Sequence, residues 1–422
     1  MKRTDRSLTL APFRVKSFRF QWPADLLTSW ASEMESLILG WFVMVHTGSV
    51  LLLTVFGSLQ FLGTLAAPVF GVAGDRLGSR TMLCAMRTVY VVLAVLVMTL
   101  GFAGRLTATQ VLVVAAVAGL VRPNDLVMRN ALIGDTIPRE HLMGALAMSR
   151  ATMDSARVAG ALAGAGLSSR LGLPGAYLFI VTFYLSSLAL TLGVSRGRPI
   201  AEPHRSGAQP SRHGGSVSLP RPSGWGELKE GLAHVWTNPR VLAGMWLAFL
   251  VNLTAYPLSS GLLPYVARDV YRIDANGLGS LVASFSLGAL LGSMGMVLTG
   301  GPRLPERSTI ISVVVWYALL LGFGHARTKT TGALLLVVIG FVQSIGMISM
   351  AATLLSSAGE RFRARVMGVR TLAVYGLPLG LMASGALTQV IGFRATVIVY
   401  SLTGLAVTVL IGLRWRRDLW HA

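Results

Sequence analysis

Two glutamates, Glu33 and Glu35, lie inside a mostly apolar stretch, residues 24–47. At about 100° per residue they fall on one helical arc, roughly 160° wide, together with several hydroxyl side chains. The members of this arc are Asp25, Thr28, Ser29, Ser32, Glu33, Glu35, Ser36 and Gly40. The opposite side of the helix carries Trp30 and Met34. Carboxylates in such surroundings are candidates for taking up and releasing protons or for binding a charged ligand.

The composition places these carboxylates in a membrane. Hydrophobic residues make up 53% of the 422 residues, charged residues only 13%, and the mean hydropathy is +0.64, whereas soluble domains carry about 25% charged residues. Several apolar runs reach the ~20 residues that a helix needs to cross about 30 Å of hydrocarbon. We therefore expect a polytopic membrane protein of the all-α class.

The apolar segments predict twelve transmembrane helices in two pseudo-symmetric six-helix bundles. The predicted spans are 24–47, 50–72, 81–103, 107–134, 140–168, 173–195, 239–266, 275–299, 306–327, 330–356, 364–388 and 392–414. The resulting domains are an N-terminal tail (1–23), the first bundle (24–195), a linker (196–238), the second bundle (239–414) and a C-terminal tail (415–422). The linker is rich in Pro, Ser, Gly and Arg, a composition that cannot bury enough surface to fold alone. Within it, 225–236 predicts an interfacial helix or, as the alternative, a plain solvated helix.

The basic residues indicate the orientation. The formal net charge is +20, but Lys and Arg lie in the gaps between apolar runs and not on a soluble face, which argues against nucleic-acid binding. Most of them fall on one side of the predicted topology, so the positive-inside rule predicts that both termini and the linker face the cytoplasm. We expect the inner membrane.

Glu33 and Glu35 have two interpretations. Ionisable residues at mid-membrane are functional candidates by default, and either glutamate could load and release a proton as a cavity changes sides; Glu33 is favoured because it borders the serine stripe. Alternatively, one of them pairs permanently with Arg122 or Arg150 and only holds helices together.

The fifth predicted span adds Arg150, Asp154 and Arg157, which share one helix face at spacings i, i+4 and i+7. One carboxylate neutralises only one of the two cations, so this face predicts a further carboxylate partner or an anionic ligand. On the same helix Gly160 and Gly164 are expected to serve close helix packing.

The second bundle is poorer in charge, and its mid-span polar residues can bind a ligand or bridge helices without ionising. We expect Asn252, Tyr256, Gln343 and Tyr375 to line a cavity opposite Ser29, Ser32 and Ser36. Gly288 and Gly292 are predicted packing positions.

The loop between the second and third spans carries the pattern Gly71, Asp75, Arg76, Gly78, Arg80. This pattern and the six-plus-six layout resemble the major facilitator superfamily. Segments 135–142, 227–239 and 363–370 resemble its enterobactin-exporter and macrolide-efflux branch. Antiporters of the superfamily often show Gly-Pro in the fifth span, where this chain has Gly160-Ala161, and the loop 300–305 lacks the acid of a second signature.

The resemblance implies that the loop is a gate, whose charges latch the two halves together through acids or carbonyls of the other half; the alternative is that its arginines only obey the positive-inside rule. By the same resemblance, Arg122 corresponds to an arginine of the fourth span that the superfamily associates with proton transfer; the alternative is that Arg122 only obeys the positive-inside rule. Proton-coupled export of a small amphipathic molecule, such as a siderophore or antibiotic, is the expected function. The alternatives are a proton-coupled uptake symporter and a membrane scaffold or sensor.

No enzyme, metal or nucleotide motif occurs, so we expect no catalytic residue, no cofactor, no bound metal and no nucleotide or nucleic-acid partner. The expected partners are the small-molecule substrate, the proton and the lipid bilayer, and the expected state is a monomer. The single Cys84 lies in an apolar stretch and is expected to be a core residue.

Overall fold

The computed structural model describes residues 11–64, 66, 70, 73–74, 76–195, 233, 235–299, 301–302, 304–357, 366, 369–370 and 372–416. Their regular secondary structure is entirely helical. The helices are α1 (Lys16–Thr47), α2 (Val50–Leu59), α3 (Ser79–Phe102), α4 (Ala108–Thr136), α5 (Arg139–Leu192), α6 (Pro239–Val270), α7 (Ala275–Thr299), α8 (Pro305–His325), α9 (Lys329–Ser357), α10 (Gly376–Ile391) and α11 (Phe393–Arg414). We refer to α1–α5 as the N-half and to α6–α11 as the C-half.

Among the described residues, eight helical segments are long and apolar enough to cross a membrane. Four of the twelve predicted spans have no separate counterpart among these eight segments. The fifth and sixth form one continuous segment, while α2 with the following turn (Val50–Thr64) and α10 are shorter apolar helices. The carboxylates of α1 lower its hydropathy, and it is not among the eight.

Helix α5 is broken at Gly172. Its φ of 71° and ψ of 174° lie outside the helical region, in a conformation that an L side chain rarely adopts. The arm before the break follows α1, because Gly160 lies against Trp30 and Glu33 and Gly164 lies against Met34. The arm after the break returns along α1, where Ser187 Oγ donates to the carbonyl of Ala24 at 2.8 Å. Both arms therefore enclose α1.

Helix α1 begins at Lys16, inside the segment that the sequence predicted as a tail. Phe18 is buried in a small cluster with Ile133, Ile137 and Ala145. Burial of this aromatic side chain stabilises the first two turns of the helix, which continues through Pro23. The helix therefore begins eight residues before the predicted membrane span, 24–47.

In the C-half, glycines allow α7 and α9 to approach closely. A Cβ at Gly288 would lie 1.9 Å from the carbonyl oxygen of Val337, and one at Gly340 would lie 2.1 Å from that of Phe285. Gly292 similarly faces the carbonyl of Phe341 at 2.5 Å. This contact agrees with the packing role predicted for Gly288 and Gly292.

The two halves touch at the end of the bundle where α1 ends and α7 begins. There Ser169 Oγ donates to Asn276 Oδ1 at 3.1 Å, and Gly279 packs against Ala161 and Ala165. Alongside, Ser58 Oγ donates to the carbonyl of Pro378 at 3.0 Å. We call this the closed end.

Candidate functional site

Helix α1 brings Glu35 into the centre of the N-half. Its side chain is only 5% exposed. Arg122 Nη2 donates to Oε2 at 3.0 Å, Tyr184 Oη donates to the same oxygen at 3.0 Å, and Tyr177 Oη approaches Oε1 at 3.4 Å. The polar arc of α1 thus faces α4 and the second arm of α5, as a costly charge in the membrane requires.

Arg122 links this carboxylate to α2. Its Nη1 donates to Ser36 Oγ at 2.7 Å and to Gln60 Oε1 at 2.8 Å, and Ser36 Oγ donates to the same Gln60 oxygen at 3.0 Å. A small cavity with room for about one water molecule lies beside this group. It is lined by Glu35, Ser36, Leu39, Phe56, Gln60, Val114, Ala115, Ala118 and Arg122. The Glu35–Arg122 pair therefore borders a space that one water molecule can fill.

The sequence analysis did not identify a second buried group of charges as a site. Asp25 pairs with Arg87 and, at 3.6 Å, with Arg129, which also pairs with Asp125. Ser29, predicted to line a cavity, instead accepts from Arg129 Nη1 at 2.8 Å. Both arginines lie inside predicted spans, 81–103 and 107–134, and counted only toward the positive charge of the cytoplasmic side. The Asp25 position on the polar arc and the i, i+4 spacing of Asp125 and Arg129 were visible signals.

The remaining predicted charges lie on a more open face. Arg157 Nε is 3.9 Å from Glu33 Oε1, with side chains 49% and 39% exposed. Arg150 Nε is 3.5 Å from Asp154 Oδ2, and the Arg150 side chain is 65% exposed. Glu33, which the sequence analysis favoured over Glu35, is thus the more weakly paired and the more solvent-exposed of the two carboxylates.

In the C-half, two of the predicted cavity residues, Tyr256 and Gln343, contact each other, and neither side chain carries a charge. Gln343 Nε2 donates to Tyr256 Oη at 2.5 Å, and Trp316 meets the Tyr256 ring edge-on with centroids 5.2 Å apart. Asn252 Nδ2 instead donates to the carbonyl of Ala248 at 2.8 Å, while Tyr375 is partly buried before α10. Ser32 is also partly buried, on α1.

Around Tyr256 the backbone of α6 is π-helical, over Val251–Ala255 and Pro257–Gly261. Such π segments occur frequently at functional sites. The widened turns belong to the same stretch of helix that presents Tyr256 to Gln343.

Of the predicted gating loop, Gly71 and Asp75 lie outside the described residues. Arg76 is exposed, and Gly78 has a positive φ of 83° directly before α3. Arg80 binds the carbonyls of Thr191 and Leu192 at the end of α5. These partners belong to the N-half, whereas the resemblance led us to expect partners in the other half.

The sequence of the chain matches the model of the Major Facilitator Superfamily over residues 24–378. The chain belongs to this superfamily, and the resemblance inferred from its motifs is confirmed. It is therefore a multi-pass membrane transporter and not an enzyme.

Two relatives are multidrug efflux pumps named Tap. The protein of Mycolicibacterium fortuitum is 27% identical over 383 residues, covering 87% of this chain and 88% of the relative. That of Mycobacterium tuberculosis (strain ATCC 25618 / H37Rv) is 26% identical over 408 residues, covering 93% and 92%.

Solved structures share the fold at low sequence identity. A bacterial homologue of the human lysosomal transporter Spinster, in an inward-facing and unoccupied conformation, has a TM-score of 0.70 at 13% identity, covering 95% of this chain and 98% of that one. The POT-family transporter PepTSo has a TM-score of 0.71 at 13% identity, covering 95% of this chain and 97% of that one. These likenesses concern the fold alone.

Proposed function

We propose that this transporter exports a small amphipathic molecule from the cytoplasm, driven by protons, and that Glu35 is the carboxylate that carries the proton. The observation behind the proposal is the Glu35–Arg122 pair, in which Glu35 is buried, contacts side chains of α4 and α5 and borders a small cavity. The efflux pumps to which the chain is similar support the direction of transport.

Glu35 is a better coupling group than Glu33 because more hydrogen bonds depend on whether its carboxyl group is protonated. When ionised, it accepts hydrogen bonds from Arg122, Tyr184 and Tyr177. Protonation would weaken all three, since a neutral carboxyl group attracts a guanidinium far less than a carboxylate does. Release of Arg122 would in turn free Ser36 and Gln60, so one proton would alter the contacts among α1, α2, α4 and α5.

We further propose that twelve segments cross the membrane, with both termini and residues 196–238 in the cytoplasm. In this arrangement α5 crosses twice, once on each side of Gly172, and α1, α2 and α10 also span. The closed end then faces away from the cytoplasm, and the halves rock about a midplane site by alternating access. The loop 71–80 would act as a gate at the cytoplasmic end.

The orientation is testable by labelling. Single cysteines placed at Ser216 and at Arg105 in a Cys84→Ala background should respond oppositely to a membrane-impermeant maleimide in intact cells. We expect Arg105→Cys to label and Ser216→Cys to remain unlabelled until the cells are opened. Labelling of Ser216→Cys in intact cells would overturn the orientation.

Coupling is tested in proteoliposomes with an imposed pH gradient, using two fluorescent probes with the same xanthene core: sulforhodamine B, a net anion, and the cationic rhodamine B ethyl ester. Wild-type protein should accumulate at least one probe when the gradient is present. Glu35→Gln should abolish this response while probe exchange at equal concentrations continues, because exchange requires alternating access without net proton movement. Gradient-driven accumulation by well-folded Glu35→Gln protein would refute the role of Glu35.

Glu33→Gln is the matched control, two residues away on the same helix. We expect it to retain gradient-driven transport. If Glu35→Gln destabilises the protein because Arg122 loses its partner, Glu35→Gln/Arg122→Gln removes both charges and serves in the same assay. If Glu33→Gln and not Glu35→Gln abolishes the gradient response, the coupling role passes to Glu33.

A further inference from the structure

One face of α5 changes character along its length. Ala161 and Ala165 are buried at the closed end, where they contact Gly279 of the C-half. Residues on the same face about one and three turns earlier are Arg157, half exposed, and Arg150, mostly exposed. The spacings of four and seven residues keep all of them on one side of the helix. The halves therefore separate along this face, and the arginines line the resulting gap.

The opposite wall of the gap belongs to the C-half. Arg150, Arg157 and Arg370 all act electrostatically on the hydroxyl group of Tyr256, and Arg370 and Arg150 repel each other. Tyr256 therefore lies in the electrostatic field of cations from both halves. Its hydroxyl group already accepts a hydrogen bond from Gln343, so its own proton is available to another acceptor.

The charges in this gap are not balanced. Arg150 is paired with Asp154, and Arg157 only loosely with Glu33 at 3.9 Å. Arg370 is partly buried, and within the part of the chain that the structure describes no carboxylate pairs with it. Among the described residues, three cations thus face two carboxylates. Cations that lie close together in a partly desolvated space repel one another, and a bound anion relieves this repulsion.

We propose that the gap between Arg157 and the Tyr256–Gln343 pair binds an oxyanion group of the transported molecule, a carboxylate, sulfonate or phosphate. This inference rests on the proposed transport function and specifies its substrate class. Arg157 and Arg370 supply the charge from the two halves, and Tyr256 donates a hydrogen bond. The ligand oxyanion takes the place of Glu33 on Arg157, which the length and exposure of that pair permit.

The same two xanthene probes test the site directly. Their binding to purified protein in an uncharged maltoside detergent is measured by fluorescence anisotropy, with empty micelles subtracted and no gradient present. We expect sulforhodamine B to bind at least tenfold more tightly than rhodamine B ethyl ester, because charge-assisted hydrogen bonds to arginine form only with the sulfonate. Raising NaCl from 50 to 500 mM should weaken only the anionic probe, since the arginines are partly exposed to solvent.

Substitutions locate the binding. Arg157→Gln should weaken sulforhodamine B binding about tenfold or more and leave the cationic probe unchanged or bound more tightly. Arg157→Lys should restore part of the affinity, because charge remains but the planar fork is lost. Arg105→Gln removes an exposed cation from the α3–α4 loop and should change neither probe. Should Arg157→Gln fold poorly, Arg150→Gln, whose side chain is mostly exposed, replaces it with a smaller expected loss.

The outcomes separate the two proposals. Equal or tighter binding of the cationic probe, or an Arg157→Gln protein that retains full selectivity, overturns the oxyanion site. Selective binding that depends on Arg157 supports it even if no gradient-driven transport is found, in which case the proton-coupled function fails alone. Gradient-driven transport of only the cationic probe would keep the transport proposal and refute this one.

Discussion

The N-half and the C-half hold their helices together by different chemistry. In the N-half, carboxylates on α1 meet arginines from α3 and α4 in the interior. In the described part of the C-half, the buried polar side chains are uncharged apart from Glu306, near the start of α8. There, glycine contacts between α7 and α9 and hydroxyl pairs such as Thr254–Tyr317 join the helices.

This difference suggests a division of labour. Neutralising one member of a buried ion pair leaves the other charge uncompensated, which is costly. The N-half therefore responds strongly to the arrival of one proton or one ion. Neutral hydrogen bonds and close backbone contacts carry no such sensitivity. The C-half therefore suits a rigid wall that recognises shape and hydrogen bonds, and the N-half suits the part that senses charge.

The largest expected effect is that of Asp25→Asn. The substitution keeps the shape of the side chain but leaves Arg87, fully buried beside it, without the carboxylate that pairs with it. We expect a loss of about 3–5 kcal/mol in the free energy of unfolding, measured by denaturation of the purified protein in detergent. The double variant Asp25→Asn/Arg87→Met should recover a large part of it. A single-variant loss below about 1 kcal/mol would show that this pair contributes no more than an exposed one.

Removing one tyrosine hydroxyl group from each half compares the two chemistries directly. Tyr184 donates to the Glu35 carboxylate at 3.0 Å, whereas Tyr317 pairs with the Thr254 hydroxyl at 2.6 Å. Tyr184→Phe should cost about 1.5–3 kcal/mol because the bond involves a charge. Tyr317→Phe should cost nearer 0.6 kcal/mol, roughly the average for neutral bonds between membrane helices. Equal losses in the same unfolding assay would remove the distinction between the halves.

The close packing of the C-half is tested with two glycines on α7. Gly288→Ala places a methyl group against the Val337 carbonyl, so α7 and α9 must separate, at a cost of about 1–3 kcal/mol. A Cβ at Gly295 meets nothing within 4 Å. Gly295→Ala should therefore be neutral or stabilise the protein by up to about 1 kcal/mol, since alanine is the better helix former. Similar unfolding curves for the two variants would contradict tight packing here.

The smallest expected effect on stability is that of Glu33→Gln. The carboxylate is 39% exposed and 3.9 Å from Arg157, so its removal should change the free energy of unfolding by less than about 1 kcal/mol. Comparison with Asp25→Asn on the same helix measures the effect of burial on an ion pair. A loss as large as that of Asp25→Asn would mean that Glu33 is paired more tightly than the structure indicates.

The sequence predicted the helices well where the apolar runs were long and uninterrupted. The spans 275–299 and 392–414 differ from α7 and α11 by at most one residue. Helix α1 contains the predicted span 24–47 but begins eight residues before it, and its first two turns are stabilised by contacts of Phe18 with α4 and α5. Those partners lie more than a hundred residues away along the chain, and no local pattern indicates them.

The site shows the same limit. Spacing alone brought Arg150, Asp154 and Arg157 onto one face and placed Glu33 and Glu35 on the polar arc. It did not indicate which of the two glutamates is the more buried, because they lie about 160° apart, at opposite edges of that arc. The position of α5 against α1 decided which one faces the interior. Arg87 and Arg129 became partners of Asp25 only where the fold brought α1, α3 and α4 together.

The sequence by itself determined that this chain is a helical membrane transporter of the Major Facilitator Superfamily, since apolar length, charge distribution and the loop motif are properties of the chain read in order. The tertiary structure decided which charges are partners and which remain open to solvent. The physical reason is that helical periodicity assigns each side chain to a face, whereas the energy of a buried charge depends on what the neighbouring helices bring to that face.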